Sequence, residues 1–546
     1  MRIRVNLTAC LFVLSLSFAL TSHGQNNDPT FDLIIENGHI IDGTGNPWFP
    51  GDVGVKDGVI VELGDLSSAT ATRTIDATGH IVSPGFIDIH NHSDQQVLTN
   101  PRAENYIRQG VTTIVIGNCG HSVVPSEEYP TFTKYFDEIE RQGVSVNLAA
   151  LIGHGDLREY VMGPVGRLAT VDEMSQMTQL VEQLLQQGAS GMSTGLGYAP
   201  GIYSDTKEIV ELTKVVAKYN GLYTSHIRGD AATWRPAIEE AIDIGDQTGV
   251  AVQISHMESH YPNWGAQGIP LRLIEAARAR GLDVTTDTPP LVRGATGLET
   301  MLPNEALDGG SATVIEYLSD PEKRAICRHH VFEEKDIHNT PVPTLIADGL
   351  ADHIFIDGIS LEEIAKSRGI EPVEAAFDIL VENEGSKGIV LQHHYEPDLR
   401  ILVANPLVMI ESDGSIQTFG EGTPNPRSYG AFPIVFRKYV RGETRPEADE
   451  DVGMKILSIE EAVRKMTSFP AQKMGMTDRG LIRESMVADL VIFDPETISD
   501  KCTYTNPHQY PVGIPYVIVS GEVVVNESEH TGALPGKILK STRSHN

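Results

Sequence analysis

His90 and His92 stand two residues apart in Phe86-Ile87-Asp88-Ile89-His90-Asn91-His92-Ser93-Asp94. Side chains two apart on a β-strand point to the same side, so this spacing aims two imidazoles at one point, as a divalent metal requires. The pair alone is a modest signal, because two histidines at a strand end are also ordinary polar residues. Four further residues add to it: Cys119 in Gly117-Asn118-Cys119-Gly120, His226 in Thr224-Ser225-His226-Ile227-Arg228, His256 in Ile254-Ser255-His256, and Asp413 in Glu411-Ser412-Asp413-Gly414. Each follows a run of β-type residues. Imidazoles, one thiol and one carboxylate form a borderline-soft donor set that favours zinc over magnesium or calcium.

Strands alternating with helices must carry these residues. Candidate strands are Phe86 to Ile89, Thr112 to Ile116, Val146 to Ile152, Gly191 to Ser193, Leu222 to Ser225, Ala251 to Ser255, Val284 to Thr286 and Val408 to Ser412. Helical periods fall between them at Val171 to Gln187, Thr206 to Tyr219, Trp234 to Asp246 and Leu271 to Arg280, the first two preceded by Thr170 and Asp205 as N-caps. The pattern predicts an α/β fold, a (β/α)8 barrel over residues 85–465, with all six candidate residues at the C-terminal strand ends where barrel enzymes place their chemistry. A lid insertion is expected around 288–407, with a helix at Pro372 to Glu382. Short β-runs at both chain ends, among them Phe31 to Ile35, a turn at Asn37-Gly38, His39 to Ile41, Ala488 to Phe493 and Tyr516 to Ser520, predict one small β-sandwich built from residues 25–84 and 466–546.

The first 24 residues read differently. Arg2 and Arg4 precede an apolar run from Leu7 to Leu20, and Ser22-His23-Gly24 offers small residues for cleavage before Gln25, which reads as a secretory signal peptide and an exported, periplasmic or secreted protein. The formal charge of −32 becomes −34 once that leader is removed. Such an acid excess repels phosphate backbones, and no apolar run is long enough to span a bilayer, so neither nucleic acid nor a membrane is an expected partner. The mature chain would keep Cys119, Cys327 and Cys502, too few for a disulfide framework. At least one thiol stays unpaired or binds something. The sequence carries no signal for oligomeric state.

The sequence resembles the amidohydrolase superfamily, and within it the N-acyl-D-amino-acid deacylases. The resemblance rests on the segments around His90, Cys119, His226 and His256, on Ser193-Thr194-Gly195-Leu196-Gly197-Tyr198-Ala199-Pro200-Gly201, on Ser412-Asp413-Gly414, on Pro426-Arg427-Ser428-Tyr429-Gly430-Ala431-Phe432-Pro433, and on Ala488-Asp489-Leu490-Val491-Ile492-Phe493-Asp494-Pro495. It implies a barrel inserted in a β-sandwich, one tightly bound Zn2+ on Cys119, His226 and His256, a second weaker position at His90 and His92, and Asp413 as the catalytic acid/base. The implied reaction is zinc-dependent hydrolysis of an amide bond in a small-molecule N-acyl amine, the deacylation of N-acyl-D-amino acids or related D-amino-acid compounds, with a cyclic amide or dipeptide-like substrate as the alternative. Related hydrolases carry a carboxylated Lys after the fourth strand; Ser193-Thr194 stands there instead, which fits Cys119 as the alternative ligand.

The resemblance thins around the substrate. Arg427 is present in the motif that implies carboxylate binding, but Glu258 replaces an expected Lys and Asp287-Thr288-Pro289-Pro290 lacks an expected Tyr. An ionised Glu258 would repel an acidic substrate, which shifts the expectation toward neutral ones. Tyr198 and Tyr203 are candidates to line the pocket or to pack. His154 is expected to be structural, and His121, His260, His329, His330, His393 and His394 to be loop or surface residues, with His393-His394 near enough to touch substrate. Two rivals remain: Gly191-Met192-Ser193-Thr194-Gly195 matches the serine-hydrolase elbow without the immediate helix that motif demands, and a non-catalytic binding protein would keep the barrel.

Overall fold

The computed structural model describes residues 30–334, 339–446 and 452–541; the expected leader, residues 1–24, lies outside them. The chain opens with β1 (Phe31–Ile40), β2 (Phe49–Lys56), β3 (Val59–Gly64), β4 (Ala71–Asp76) and β5 (Ile81–Pro84). β1 pairs with β2 along one edge and with β4 and then β5 along the other. The expected turn at Asn37-Gly38 is instead a bulge within a continuous β1, with Asn37 at φ 61°. Asn37 is anchored on both sides, its N–H donating to Asp52 and its amide to Asp76, so the left-handed residue adds one position and the strand continues.

The barrel strands follow: β6 (Phe86–Asp88), β7 (Val111–Ile116), β8 (Asn147–Ala150), β9 (Ile152–Gly153), β10 (Gly191–Gly195), β11 (Leu222–His226), β12 (Ala251–Ile254) and β13 (Val284–Thr288). An insertion carries β14 (Arg293–Gly297), β15 (Ile354–Ile356), β16 (Ile359–Ser360) and β17 (Gly388–Gln392), after which β18 (Val408–Ile410) returns to the barrel. β6, β7 and β8 form one parallel run, and β9, β10, β11, β12, β13 and β18 a second. Only Leu151 separates β8 from β9, so they act as one barrel strand. At the other seam Asn91 bridges Gly414, with Asp413 N–H donating to His90 O at 3.1 Å and His92 N–H to Gly414 O at 2.8 Å. Eight parallel strands thus close into a ring. Apart from Ala251 their residues are buried, as expected where the opposite face is covered by helices.

The helices Val171–Gln186 and Thr206–Lys218 start at the N-caps read from sequence. Thr170 forms a capping box with Glu173, and Asp205 accepts from Glu208 N–H. Their apolar faces bury Val181, Leu184, Ile209 and Val216 in the main core. The final strands β19 (Leu490–Phe493), β20 (Tyr516–Val519), β21 (Glu522–Asn526) and β22 (Glu529–His530) extend the N-terminal sheet, because β19 pairs antiparallel with β5. Both chain ends therefore contribute to one nine-stranded hydrogen-bonded sheet, where a sandwich was expected. Val59 bridges Val487, and Ile60 shares a core with Leu490, Ile492 and Ile518.

The insertion is larger than a simple lid. Its antiparallel sheet, in the order β14-β17-β15-β16, packs with the helices Ser311–Ser319, Pro321–Glu333, Pro341–Ala347, Leu361–Arg368 and Pro372–Glu382 around a separate apolar core. Cys327 is buried in that core and Cys502 beside Pro426; both are free thiols. Among the described residues no helix is long and apolar enough to cross a membrane.

Candidate metal and active site

Every residue singled out by spacing reaches the C-terminal mouth of the barrel. Asp88, at the end of β6, fixes the seam there by accepting from Ser412 N–H at 3.0 Å, Ser412 Oγ–H at 2.6 Å and the Asn91 amide at 2.9 Å. Three site residues adopt left-handed backbone: Cys119 at φ 51°, His256 at φ 33° and Asp413 at φ 47°. Such conformations cost about 1–3 kcal/mol each and persist only where the surroundings impose them. The Cys119 loop is clamped by Ser193, whose hydroxyl donates to Gly117 O at 2.5 Å and accepts from Gly120 N–H at 3.0 Å. Gly195 lets that loop approach, since a Cβ there would lie 2.0 Å from Cys119 O. His256 N–H donates to Asp287 Oδ1 at 2.5 Å, and Gln253 steadies the other oxygen at 2.8 Å.

These clamps bring the donors together. Cys119 Sγ lies 3.3 Å from His90 Nε2 and 3.5 Å from His256 Nε2, and His226 Nδ1 lies 2.9 Å from His256 Nε2. His92 Nε2 is 3.0 Å from Asp413 Oδ1, and His90 Nε2 is 3.6 Å from the same oxygen. His90 therefore belongs to both groups, one with Cys119 and His256 and one with His92 and Asp413, while His226 joins through His256.

The residues present fit a divalent metal. Burial keeps His90, His226 and His256 well below or below the ordinary imidazole range, hence neutral and free to ligate. Burial, then the nearby Asp413 and Asp287 carboxylates, pushes the Cys119 thiol up, so a thiolate here needs a cation beside it. Burial also raises Asp88 to about 6, Asp287 to about 7 and Glu411 well above the usual carboxylate range. Both Glu411 carboxylate oxygens and His90 Nδ1 lack hydrogen-bond partners. Asp413 is the exception. Burial opposes its ionisation, but the Arg427 guanidinium and then His92 hold the carboxyl well below its ordinary range.

Above the donors lies a cavity of about 360 Å³. Tyr198 lines it, its ring centroid 4.4 Å from that of His226 and its hydroxyl 3.2 Å from Thr296 of the insertion. Arg427 lines it too, with Nη1 2.7 Å from Asp413 Oδ2. Glu258 is buried in the wall, and the Thr288 hydroxyl donates to it. Burial raises Glu258 to about 8, so at neutral pH it is mainly uncharged. The expected repulsion between an ionised Glu258 and an acidic substrate therefore does not arise.

The remaining candidates separate clearly. His154 pairs with Glu208 at 2.8 Å beneath the helix Thr206–Lys218, a buried structural contact. Tyr203 donates to Asn304 O. His329 is exposed and His330 pairs with Glu334, but His260, His393 and His394, expected in loops or at the surface, are buried and line the cavity with His121. Ser193 has no histidine partner among the described residues and serves the Cys119 loop. Sequence reasoning missed Asp287, Glu411 and Asp230. Asp287 is the next-to-last residue of β13 and Glu411 follows β18, positions where the strand-end rule used for the histidines would have found them.

Comparison with known proteins points one way. The profile of the amidohydrolase family matches residues 73–222 and 339–525. A D-aminoacylase of Alcaligenes xylosoxydans xylosoxydans is 33% identical over 536 residues, 95% of this chain and 99% of its own length. An N-acyl-D-glutamate deacylase of the same organism is 33% identical over 530 residues, covering 94% and 97%. The solved N-acyl-D-glutamate deacylase of Bordetella bronchiseptica, complexed with zinc and a phosphonate that mimics the tetrahedral intermediate, is similar at TM-score 0.78 and 30% identity, covering 93% of this chain and 99% of that one.

Proposed function

Because the chain belongs to the amidohydrolase family, we propose that it is a zinc-dependent deacylase of N-acyl-D-amino acids and related D-amino-acid amides. Asp413 carries this reading. Arg427 and His92 hold its carboxyl well below the ordinary range, and it stands against both His92 and the Cys119-linked His90.

Cys119, His90, His226 and His256 would hold the metal, with His92 beside them. Zinc supplies a Lewis acid that polarises the amide carbonyl and makes water acidic near neutral pH. Asp413 Oδ1 faces that position and takes the proton from the attacking water. It then returns the proton to the amide nitrogen, which departs only once protonated. Arg427 keeps Asp413 ionised before that step and presents the remainder of its guanidinium to the substrate carboxylate. Tyr198 packs on His226 and excludes water from its flank.

The substrate side chain is neutral in this reading. Among the described residues lining the cavity Arg427 is the sole Arg or Lys, and it is already paired with Asp413. An acidic side chain would need a second cation. A panel of N-acetyl-D- and L-amino acids with neutral and acidic side chains, assayed for free amino acid, tests the proposal. Release from neutral D-compounds is expected, and exclusive release from L-compounds, or from none, contradicts it. Export through residues 1–24 belongs to the same proposal; a mature N-terminus at Gln25 supports it, and an intact leader on protein from the native host contradicts it.

A further inference from the structure

A second group of nitrogen donors is buried at the mouth, apart from Cys119. His260, His393 and His394 are 5%, 5% and 7% exposed, and one ring nitrogen of each lies within 4.8 Å of the others. They come from two bodies: His260 from the loop after β12, His393 and His394 from the end of β17 in the insertion. Hydrogen bonds fix the meeting, with Tyr261 N–H donating to His393 O at 3.0 Å, the Trp264 indole Nε1–H to the same oxygen at 2.7 Å, and His394 N–H to Val292 O at 3.3 Å.

The rings are oriented as well as gathered. His393 Nδ1 pairs with Leu391 O at 3.0 Å and His394 Nδ1 with Leu291 O at 3.2 Å. A carbonyl accepts only, so both Nδ1 atoms carry protons and both Nε2 atoms carry lone pairs. Metal-binding histidines are held by this kind of outer hydrogen bond. The two Nε2 atoms face the space left by the missing side chain of Gly294, where a Cβ would sit 3.2 Å and 3.4 Å from them. His260 Nδ1 has no hydrogen-bond partner and lies 3.7 Å from Asp230 Oδ2. Burial keeps all three rings neutral, with centroids 4.2 to 4.9 Å apart.

We propose that His260, His393 and His394, with Asp230 as fourth donor, form a second zinc site that holds its own ion and fastens the insertion to the barrel mouth; it adjoins the Cys119 cluster, because Asp230 Oδ2 also lies 3.7 Å from His226 Nε2. Three imidazoles and a carboxylate satisfy a closed tetrahedral zinc; the three imidazoles already lie within 4.8 Å of one another, and Asp230, 3.7 Å from His260, would close the set by turning toward the other two.

Zinc content of the purified full-length protein and of a His393→Gln/His394→Gln variant, measured by mass spectrometry after gel filtration, tests this. The variant is expected to hold one zinc fewer per chain, and equal content overturns the proposal. Cobalt(II) loading assigns the lost ion. The variant should keep the full near-ultraviolet thiolate charge-transfer band of the Cys119 site while losing the visible absorption of one ion; a proportional loss of the thiolate band would overturn a separate site. Should the double variant not fold, His394→Gln titrated with Zn2+ decides. One equivalent should bind at least about tenfold more weakly, and unchanged binding overturns the proposal.

Discussion

Arg427 Nη1 lies 2.7 Å from Asp413 Oδ2, while the other oxygen of that carboxylate stands 3.0 Å from His92 Nε2. One carboxylate is thus shared between a fixed cation and the imidazoles of the donor cluster. The pair explains how Asp413 stays ionised in a buried setting where Asp287 and Glu411 take up protons more readily.

Arg427→Met should therefore damage catalysis in two ways, by leaving Asp413 without its cation and by removing the contact for the substrate carboxylate. We expect kcat/KM to fall by about 10²-fold or more, consistent with breaking a buried charge pair. Arg427→Lys should restore only part, because an ammonium cannot keep one face on Asp413 and present another to substrate. Steady-state kinetics on both variants check this; equal activity in Arg427→Lys and wild type contradicts it.

Asp287 makes no direct contact in the proposed reaction, yet it holds the His256 backbone N–H in its left-handed conformation. Asp287→Ala should weaken metal binding by about 10–100-fold, the usual effect of removing a partner that orients a ligand. Competition with a chromophoric chelator measures the change. Unaltered affinity would leave the strained conformation of His256 without its explanation.

Lys465 is buried beneath β18 and donates to Val408 O at 2.9 Å and to Asn405 O. Burial lowers it to about 7, against about 10.4 in an unfolded chain. Between those values the unfolded state binds more protons than the folded state, so stability rises with pH. Relative to Lys465→Met, the wild type should gain stability steadily from pH 7 to pH 9.5 in urea titrations. A difference between the two proteins that does not change with pH contradicts the assignment.

Arg427, the sole Arg or Lys among the described residues that line the cavity, bears on substrate choice. N-acyl-D-amino acids with neutral side chains should be hydrolysed with higher kcat/KM than the D-glutamate and D-aspartate derivatives, by about tenfold or more, since an unpaired buried charge is costly. Competition assays with paired substrates check it, and a preference for the acidic compounds contradicts it.

The barrel was legible because several parallel strands run into a residue of evident chemistry, β6 into His90, β11 into His226 and β12 into His256, and because capping residues such as Thr170 and Asp205 mark helix starts locally. The insertion was not. Its strands β14 and β17 pair across a long stretch of intervening helix, a non-local contact with no local pattern. His393 and His394 looked like loop residues because their partner His260 lies in another part of the chain. Glu258 misled for a different reason: a residue's charge is read from its type, but burial decided its protonation.

The most direct test is the rate of the Asp413→Asn variant, with metal content measured on the same preparations. The amide keeps the size of the side chain and removes its capacity to accept and return a proton. Metal content equal to that of the wild type is expected, with turnover of an N-acyl-D-amino acid reduced by about 10²–10⁴-fold. Near wild-type turnover at full metal occupancy would show that Asp413 does not handle the proton and would contradict the account.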